Sequence, residues 1–209
     1  MDFKEFLINI NQLKNNPLGG LESQFRLAPK MRLQYDEDKI KAQNPKKAAV
    51  LALFYPDNNG KTRFLLTQRA SYNGTHSAQI SFPGGKTEST DKNLEETALR
   101  EAFEEVSILK ESVSIIREIT DVYIPPSNFL ATPFIAYSES RPNFISNSEV
   151  AVLIEVLLED LLDDNTITTI EMNTSYMKNI DVPCFKLNNY IVWGATAMML
   201  NEIKELIKQ

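Results

Sequence analysis

The chain has 209 residues, 43% hydrophobic and 24% charged, a composition that suits one globular domain with a sizeable core. Its formal charge of −6 and pI of about 5.0 exclude a general nucleic-acid binder, which needs a basic surface. One cysteine, Cys184, excludes an intramolecular disulfide and fits a reducing, cytoplasmic setting; it reads as small core filler.

The opening MDFKEFLINI carries acids and no long apolar run, so it does not read as a signal peptide. Phe3, Phe6, Leu7, Ile10 and Leu13 recur at helical spacing and predict an amphipathic helix over Asp2–Lys14, packed on the domain or on a second subunit of a homodimer. Pro17-Leu18-Gly19-Gly20 ends it. Glu22 to Lys47 is polar and poorly periodic and reads as a solvated loop; its cations Arg26, Lys30, Arg32, Lys46 and Lys47 suggest phosphate capture as the functional alternative. Ala48–Tyr55 and Arg63–Gln68 read as strands joined by the turn Asp57-Asn58-Asn59-Gly60. The first of these is the longest clean apolar run, far too short to cross a membrane.

A loop containing Phe82-Pro83-Gly84-Gly85 follows, in which two glycines permit close backbone approach to a ligand or metal. Asp91 then precedes a predicted helix over Leu94–Ser107. On that helix, with Glu101 at zero, Glu105 lies at about 40°, Glu104 at about −60° and Arg100 at about −100°. Three carboxylates and one guanidinium therefore share a face. Ala98, Leu99, Ala102, Phe103 and Val106 form an apolar stripe suited to packing on a sheet. Such a face can be simply solvated and laced with intrahelical ion pairs. The Gly-Gly loop ahead of it favours a divalent cation instead, because Mg²⁺ prefers carboxylate oxygens and keeps waters and substrate phosphates as its other ligands.

Further strands are predicted at Val113–Glu118, Ala131–Ser138, Val150–Val156 and Cys184–Leu187, with a final helix over Ala195–Lys208. Pro125-Pro126-Ser127-Asn128 reads as a rigid loop suited to lining a pocket. Trp193 reads as a core anchor, with aromatic stacking as the alternative. Gly85-Lys86-Thr87 imitates the end of a P-loop, but the earlier glycine would fall on Ile80. His76 is the only histidine, which excludes a histidine metal cluster.

The segment Gly85 to Ile108 resembles the Nudix box, which runs from a glycine through five residues to an acid, then to Arg-Glu, two residues, and Glu-Glu. Gly85, Asp91, Arg100-Glu101 and Glu104-Glu105 carry the match. Eight residues instead of seven separate Asp91 from Arg100, and Ser107 stands where a glycine is usual. Leu65-Leu66-Thr67-Gln68-Arg69-Ala70, His76 and Gln79-Ile80-Ser81-Phe82-Pro83-Gly84-Gly85 are similar to the signature of the coenzyme A diphosphatases within that group. Tyr123 to Phe129, Thr132-Pro133-Phe134, Ser148-Glu149-Val150 and Trp193-Gly194-Ala195-Thr196-Ala197 also resemble that subfamily, whereas Gly74 and Ala78 depart from it.

The resemblance implies an α/β fold, a Nudix-type α/β/α sandwich with a mixed β-sheet, as one domain over residues 1–209 with residues 1–45 as an N-terminal extension. It implies hydrolysis of coenzyme A to 4′-phosphopantetheine and adenosine 3′,5′-bisphosphate. Mg²⁺ or Mn²⁺ would be held by Glu101, Glu104, Glu105 and the Gly85 carbonyl, with Arg100 steadying a neighbouring carboxylate and Arg69, His76 and Gly84 meeting the substrate. Glu101, Glu104 and Arg100 would form the catalytic set, and Glu101 or a distant loop acid such as Glu149 would accept the water proton. Two rival readings are hydrolysis of another nucleoside diphosphate derivative, such as ADP-ribose or a dinucleoside polyphosphate, and a non-catalytic nucleotide-binding module.

Overall fold

The computed structural model of the protein describes residues 1–70, 79–174 and 177–209. At the N-terminus the predicted helix is two short ones, α1 (Phe3–Ile8) and α2 (Ile10–Asn15), hinged at Asn9. Asp2 caps α1, its carboxylate accepting from the Lys4 N–H at 2.9 Å. Phe3, Phe6 and Leu13 are buried in the protein's own main core, so this segment packs on the domain.

The expectation of a solvated loop over Glu22–Lys47 is corrected. The stretch holds α3 (Gly20–Phe25), a 3-10 turn (Lys30–Gln34) and α4 (Glu37–Ala42), with Ser23, Gln24 and Arg32 buried. Its polar residues mislead because they bond inward. Glu202, fully buried, accepts from Gly20 N–H at 3.1 Å, Gln24 Nε2 at 2.9 Å and Thr120 Oγ1 at 2.6 Å. Asn201 Nδ2 donates to the Ser23 carbonyl at 2.8 Å. Both acceptor and donor sit on the C-terminal helix described below, so polar complementarity in place of apolar periodicity docks this segment.

β1 (Lys46–Pro56) is the axis of the main sheet. Its near-continuous apolar run is what a strand buried on both faces requires. Ala48, Ala52 and Phe54 enter one core, while Ala49, Leu51, Leu53 and Tyr55 enter the other. β2 (Thr62–Arg69) pairs antiparallel with its far end, Phe54 opposite Phe64. β2 then diverges, and the chain crosses the gap through β3 (Ile80–Ser81), paired with β2, and β4 (Gly84–Lys86), paired with the near end of β1. The predicted box helix is α5 (Leu94–Val106), which packs on β1 and β4. The sheet is completed by β5 (Ser114–Glu118), β6 (Val122–Ile124), β7 (Phe129–Tyr137) and β8 (Val150–Leu157), giving eight strands among the described residues. β1 and β7 run parallel and the other pairs antiparallel, so the sheet is mixed.

After α6 (Leu158–Leu162), a second sheet of three antiparallel strands is formed by β9 (Ile167–Thr174), β10 (Met177–Leu187) and β11 (Tyr190–Trp193). Sequence patterning finds only the end of β10. The Thr-rich run of β9 lacks the apolar alternation that marks a strand. The chain closes with α7 (Gly194–Lys208), which covers the sheet face opposite α5. Cys184 is buried, as expected of core filler. Among the described residues, no helix is long and apolar enough to cross a membrane.

Two departures in the box helix have physical causes. Phe103, expected in the apolar stripe, is 52% exposed. The buried arc is rotated toward the acidic face and takes in Thr97 and Glu105 beside Ala98, Leu99, Ala102 and Val106. Ser107, in the glycine position, ends α5 in the left-handed conformation with φ 59°. Its hydroxyl donates to the Ile145 carbonyl at 3.1 Å, offsetting a conformation that costs a side-chain-bearing residue about 1 kcal/mol.

Ser107→Ala keeps that strain and loses the bond, and should lower stability by about 1 kcal/mol. Ser107→Gly loses both and should stay within about 0.5 kcal/mol of the parent. Urea unfolding midpoints check the order, and an alanine variant as stable as the glycine one would remove the hydroxyl and the left-handed cap from the account.

Candidate active site

The site is built where β4 meets α5. Gly84 has φ 153°, and a Cβ there would collide with the Ala49 carbonyl and lie 2.6 Å from Val50 Cα. At Gly85 an added Cβ would lie 2.5 Å from the carboxyl carbon of Glu101. The glycine pair thus lets the strand press against β1 on one side and against a carboxylate of α5 on the other.

Arg100 organises the acids around it. It clamps Asp91 with both arms, Nε to Oδ1 at 2.9 Å and Nη2 to Oδ2 at 3.0 Å. It also donates to Glu101 at 3.1 Å, Glu104 at 3.2 Å and the Lys86 carbonyl at 3.0 Å. The extra residue between Asp91 and Arg100 therefore leaves this acid in a structural role. Asp91 further accepts from Thr97 Oγ1 and the Glu88 N–H, each at 2.9 Å. The Arg100 hydrogen bond, helped by these donors, holds the Asp91 carboxyl well below the usual carboxylate range. Arg100 is raised in turn, chiefly by its bond to Asp91.

Glu105 is the most enclosed of the three glutamates of α5 that face the cavity, 4% exposed. It accepts from the Gly84 N–H at 3.1 Å and meets Arg69 Nη1 at 3.5 Å. Desolvation pushes its carboxyl up to about 7, and Glu101 and Glu149 add repulsion, against the opposing pull of Gly84 and Arg69. Burial also raises Glu101, with Arg100 opposing and Glu104 and Glu149 adding to the rise. Glu104 is the exposed member, with 52% of its side chain accessible.

Glu149 comes to this cluster from a distant segment. Its carboxylate meets Arg69 Nη2 at 3.3 Å, and its carbonyl accepts from the Ala70 N–H at 2.7 Å. The segment before it is fastened to the end of α5: Asn147 N–H donates to the Glu105 carbonyl at 2.9 Å and Ile145 N–H to the Val106 carbonyl at 3.2 Å. Further back, Arg141 grips Glu155 at 2.8 and 2.6 Å and lies over the Phe144 ring, which meets Tyr55 edge-on.

These acids open onto a cavity of about 590 Å³. Glu101, Glu104, Glu105, Glu149, Gly84, Gly85 and Arg69 all line it, so the residues predicted for the site converge, with His76 outside the described residues. Arg69 is engaged by Glu105 and Glu149, so its charge is already shared with the acid cluster. Among the upstream cations only Arg32 reaches the cavity; Arg26 pairs with Glu22 and Glu205, and Lys30 is exposed. Ser127 from the Pro-Pro loop lines the wall as anticipated. Trp193, expected in the core, is instead partly exposed in the cavity wall. Sequence reasoning missed the floor residues Ala48, Val50 and Ala131; small side chains on strands otherwise filled with bulky ones are the signal that marks them.

Among the described residues, no three His, Cys, Asp or Glu side chains close into a cage around one point. The donor set still fits a hard divalent ion. Glu101 and Glu105 are acids whose charged form is disfavoured by burial, and Glu104 and Glu149 line the same cavity. A cation completing its shell with water and phosphate oxygens relieves that repulsion without a full protein cage.

The Glu105 carboxyl yields a stability prediction for the metal-free protein. Its folded value near 7 lies above the unfolded 4.5, so the folded state loses stability as pH rises from 4.5 and carries the whole penalty above 7. Glu105→Gln should therefore raise the unfolding free energy of the metal-free protein at pH 8, by a few kcal/mol at most, and leave it unchanged at pH 4, as read from urea unfolding at the two pH values. An equal shift at both values would show that charge is not the cause.

Comparison with known proteins gives the same picture. Residues 45–168 match the NUDIX domain profile. Nudix hydrolase 15, mitochondrial, of Arabidopsis thaliana is 32% identical over 174 residues, covering 80% of this chain and 60% of that protein. The chain thus spans less than two thirds of that relative's length. An uncharacterized Nudix hydrolase of Yersinia pestis, NudL, is 31% identical over 144 residues, covering 68% of this chain and 71% of that protein. In fold, the chain is similar to the crystal structure of the M. Smegmatis Nudix hydrolase RenU, with a TM-score of 0.56 and 20% identity over 78% of this chain and 86% of the other. A MutT/nudix family protein from Enterococcus faecalis matches with a TM-score of 0.53 and 13% identity over 84% of this chain and 64% of the other. With the profile spanning more than half of its length, and with Arg100, Glu101, Glu104 and Glu105 gathered against Gly84 and Gly85, the chain belongs to the NUDIX domain family.

Proposed function

We propose that the protein hydrolyses the diphosphate bond of coenzyme A or its derivatives, releasing 4′-phosphopantetheine and adenosine 3′,5′-bisphosphate. The observation that carries the reading is the convergence of Glu101, Glu104, Glu105 and Glu149 on one cavity beside the glycine pair. Support for the coenzyme A class comes from the segments resembling that subfamily outside the box. Arg69, Gln79–Phe82, Gly84, Gly85, Ile124, Ser127, Phe129, Glu149 and Trp193–Thr196 all line the same cavity. A nucleotide-binding module without catalysis has no need of four acids arranged this way.

Nudix hydrolases generally use divalent ions, and Mg²⁺ or Mn²⁺ bound here would neutralise phosphate charge and lower the pKa of a bound water. Glu101, Glu104, Glu105 and the Gly85 carbonyl are the groups that would hold it. The chain's own contribution is then positional. Arg100 fixes Glu101 and Glu104, the Gly84 N–H and Arg69 fix Glu105, and Arg69 also pairs with Glu149 on the same cavity. Glu101 and Glu149 are the carboxylates suited to accept the proton of the attacking water. The 3′-phosphate would be met by cations at the cavity, of which Arg32 and Arg69 are present.

Glu104→Gln and Glu105→Gln keep side-chain size and remove a charge facing the cation. Turnover of a diphosphate substrate with Mg²⁺ should fall by about two to four orders of magnitude in each while far-UV circular dichroism is retained. Wild-type rates in both would end the metal assignment.

Substrate choice is tested with coenzyme A, dephospho-coenzyme A and ADP-ribose at equal Mg²⁺. Coenzyme A should have the highest kcat/KM, with the dephospho form lower by about tenfold, the worth of one phosphate contact of about 1.4 kcal/mol. Equal values for the first two would refute 3′-phosphate recognition, and faster cleavage of ADP-ribose would assign the enzyme to that substrate class.

A further inference from the structure

Among the described residues six large apolar side chains are exposed, and three of them belong to one end of α5. Phe103 lies in its last turn, Leu109 follows three residues after the helix, and Ile145 is fastened to it from a distant segment. The Ile145 N–H donates to the Val106 carbonyl at 3.2 Å, and its carbonyl accepts from the Ser107 hydroxyl at 3.1 Å. Its side chain is 60% exposed and Leu109 is 56% exposed. Single exposed apolar residues need no explanation, but several gathered at one place mark a surface that another molecule covers.

The surface also has a recess. Phe103 and Leu109 line a groove of about 570 Å³, together with Leu99, the buried residue one turn before Phe103 on α5. Asp91 and Arg100 line this groove and not the cavity that holds the acids, so their clamp is reached from here. Ile145 is not part of the groove lining. A recess and an exposed apolar side chain are thus attached within one turn of the same helix, the pairing that an isologous contact between two copies requires.

Charge favours the same occupant. Arg100, Lys110 and Lys92, which pairs with Glu96 at 3.6 Å, balance Asp91, Glu96 and Glu111 at the groove, whereas the whole chain carries −6. A strongly acidic or basic partner finds no excess of opposite charge here, and a second copy meets little of the repulsion expected between two acidic chains. Lys110 and Glu111 are neighbours of opposite sign on the 3-10 turn Lys110–Ser112. A two-fold axis beside them satisfies both at once.

We propose that this end of α5 is the interface of a two-fold homodimer. Ile145 of each copy seats in the groove between Phe103 and Leu109 of the other, and Lys110 of each meets Glu111 of the partner subunit. The contact does not depend on the diphosphatase reading, because it uses a face outside the catalytic cavity.

Sedimentation equilibrium of the full chain tests it. The wild type should pass from monomer to dimer across the micromolar range. Phe103→Lys and Ile145→Lys alter side chains that are exposed in the monomer, so far-UV circular dichroism should be unchanged. Each should raise the dimer dissociation constant about thirtyfold, the effect expected of a central apolar anchor. Lys110→Glu should weaken the dimer about tenfold, since symmetry repeats the like-charge contact, and adding Glu111→Lys should restore it. A wild type that stays monomeric through this range overturns the proposal, as does a dimer that both lysine variants leave intact. A double variant no tighter than Lys110→Glu alone also overturns it.

Discussion

Arg100 holds together groups that would otherwise repel one another. Its guanidinium reaches Asp91, Glu101, Glu104 and the Lys86 carbonyl, tying the loop after β4 to the acidic face of α5. A lysine could supply the charge but not the geometry, because the two-armed grip on Asp91 needs a planar fork. With Asp91 held by Nε and Nη2 and further satisfied by Thr97 and the Glu88 backbone, Nη1 of Arg100 remains for the two glutamates. One positive charge cannot neutralise three carboxylates, so the cluster keeps an excess of negative charge toward the cavity. The same excess that a cation would relieve is fixed in place by the residue that relieves part of it.

The rest of the fold supports this arrangement from the opposite side. β1 is buried on both faces and so can carry α5 on one and the cavity floor and α7 on the other. α7 is anchored by Glu202 and Asn201 to α3 and to Thr120, and its first residues enter the cavity wall. Residues 20–34 thus lock the helix whose beginning shapes the pocket, and they also bring Arg32 to it, bonded to the Tyr123 carbonyl at 3.0 Å.

The sequence revealed the chemistry of the site more fully than its enclosure. Glu101, Glu104, Glu105 and Arg100 are legible because helical spacing alone puts them on one face. The strands β1, β2, β5, β7 and β8 are legible because their buried residues are apolar in runs. β9 is not, because its Thr-rich run lacks apolar alternation. α3 is not, because it docks through Ser23 and Gln24, and polar burial resembles solvent exposure when only residue types are known. Phe103 and Glu105 depart from their expected places because the face of α5 that packs on β1 and β4 includes Glu105, held by the Gly84 N–H, and leaves Phe103 outside, a tertiary effect that no spacing encodes. Trp193 reads as core because large aromatics usually are; its place between the end of β11 and the start of α7, in the cavity wall, is a tertiary fact that residue type does not carry.

The segment that carries Glu149 is laced to the last turn of α5 by Asn147, Ile145 and the Ser107 hydroxyl. Carbonyls that a helix end ordinarily leaves to water are used here to hold a loop. Glu149 and Glu105 therefore ride on one mechanical unit, and thermal displacement of the loop carries the helix end with it. The backbone bonds thus bring the two acids together, and Arg69 bridges their carboxylates, so that one side of the cavity is tied through main chain and side chain at once.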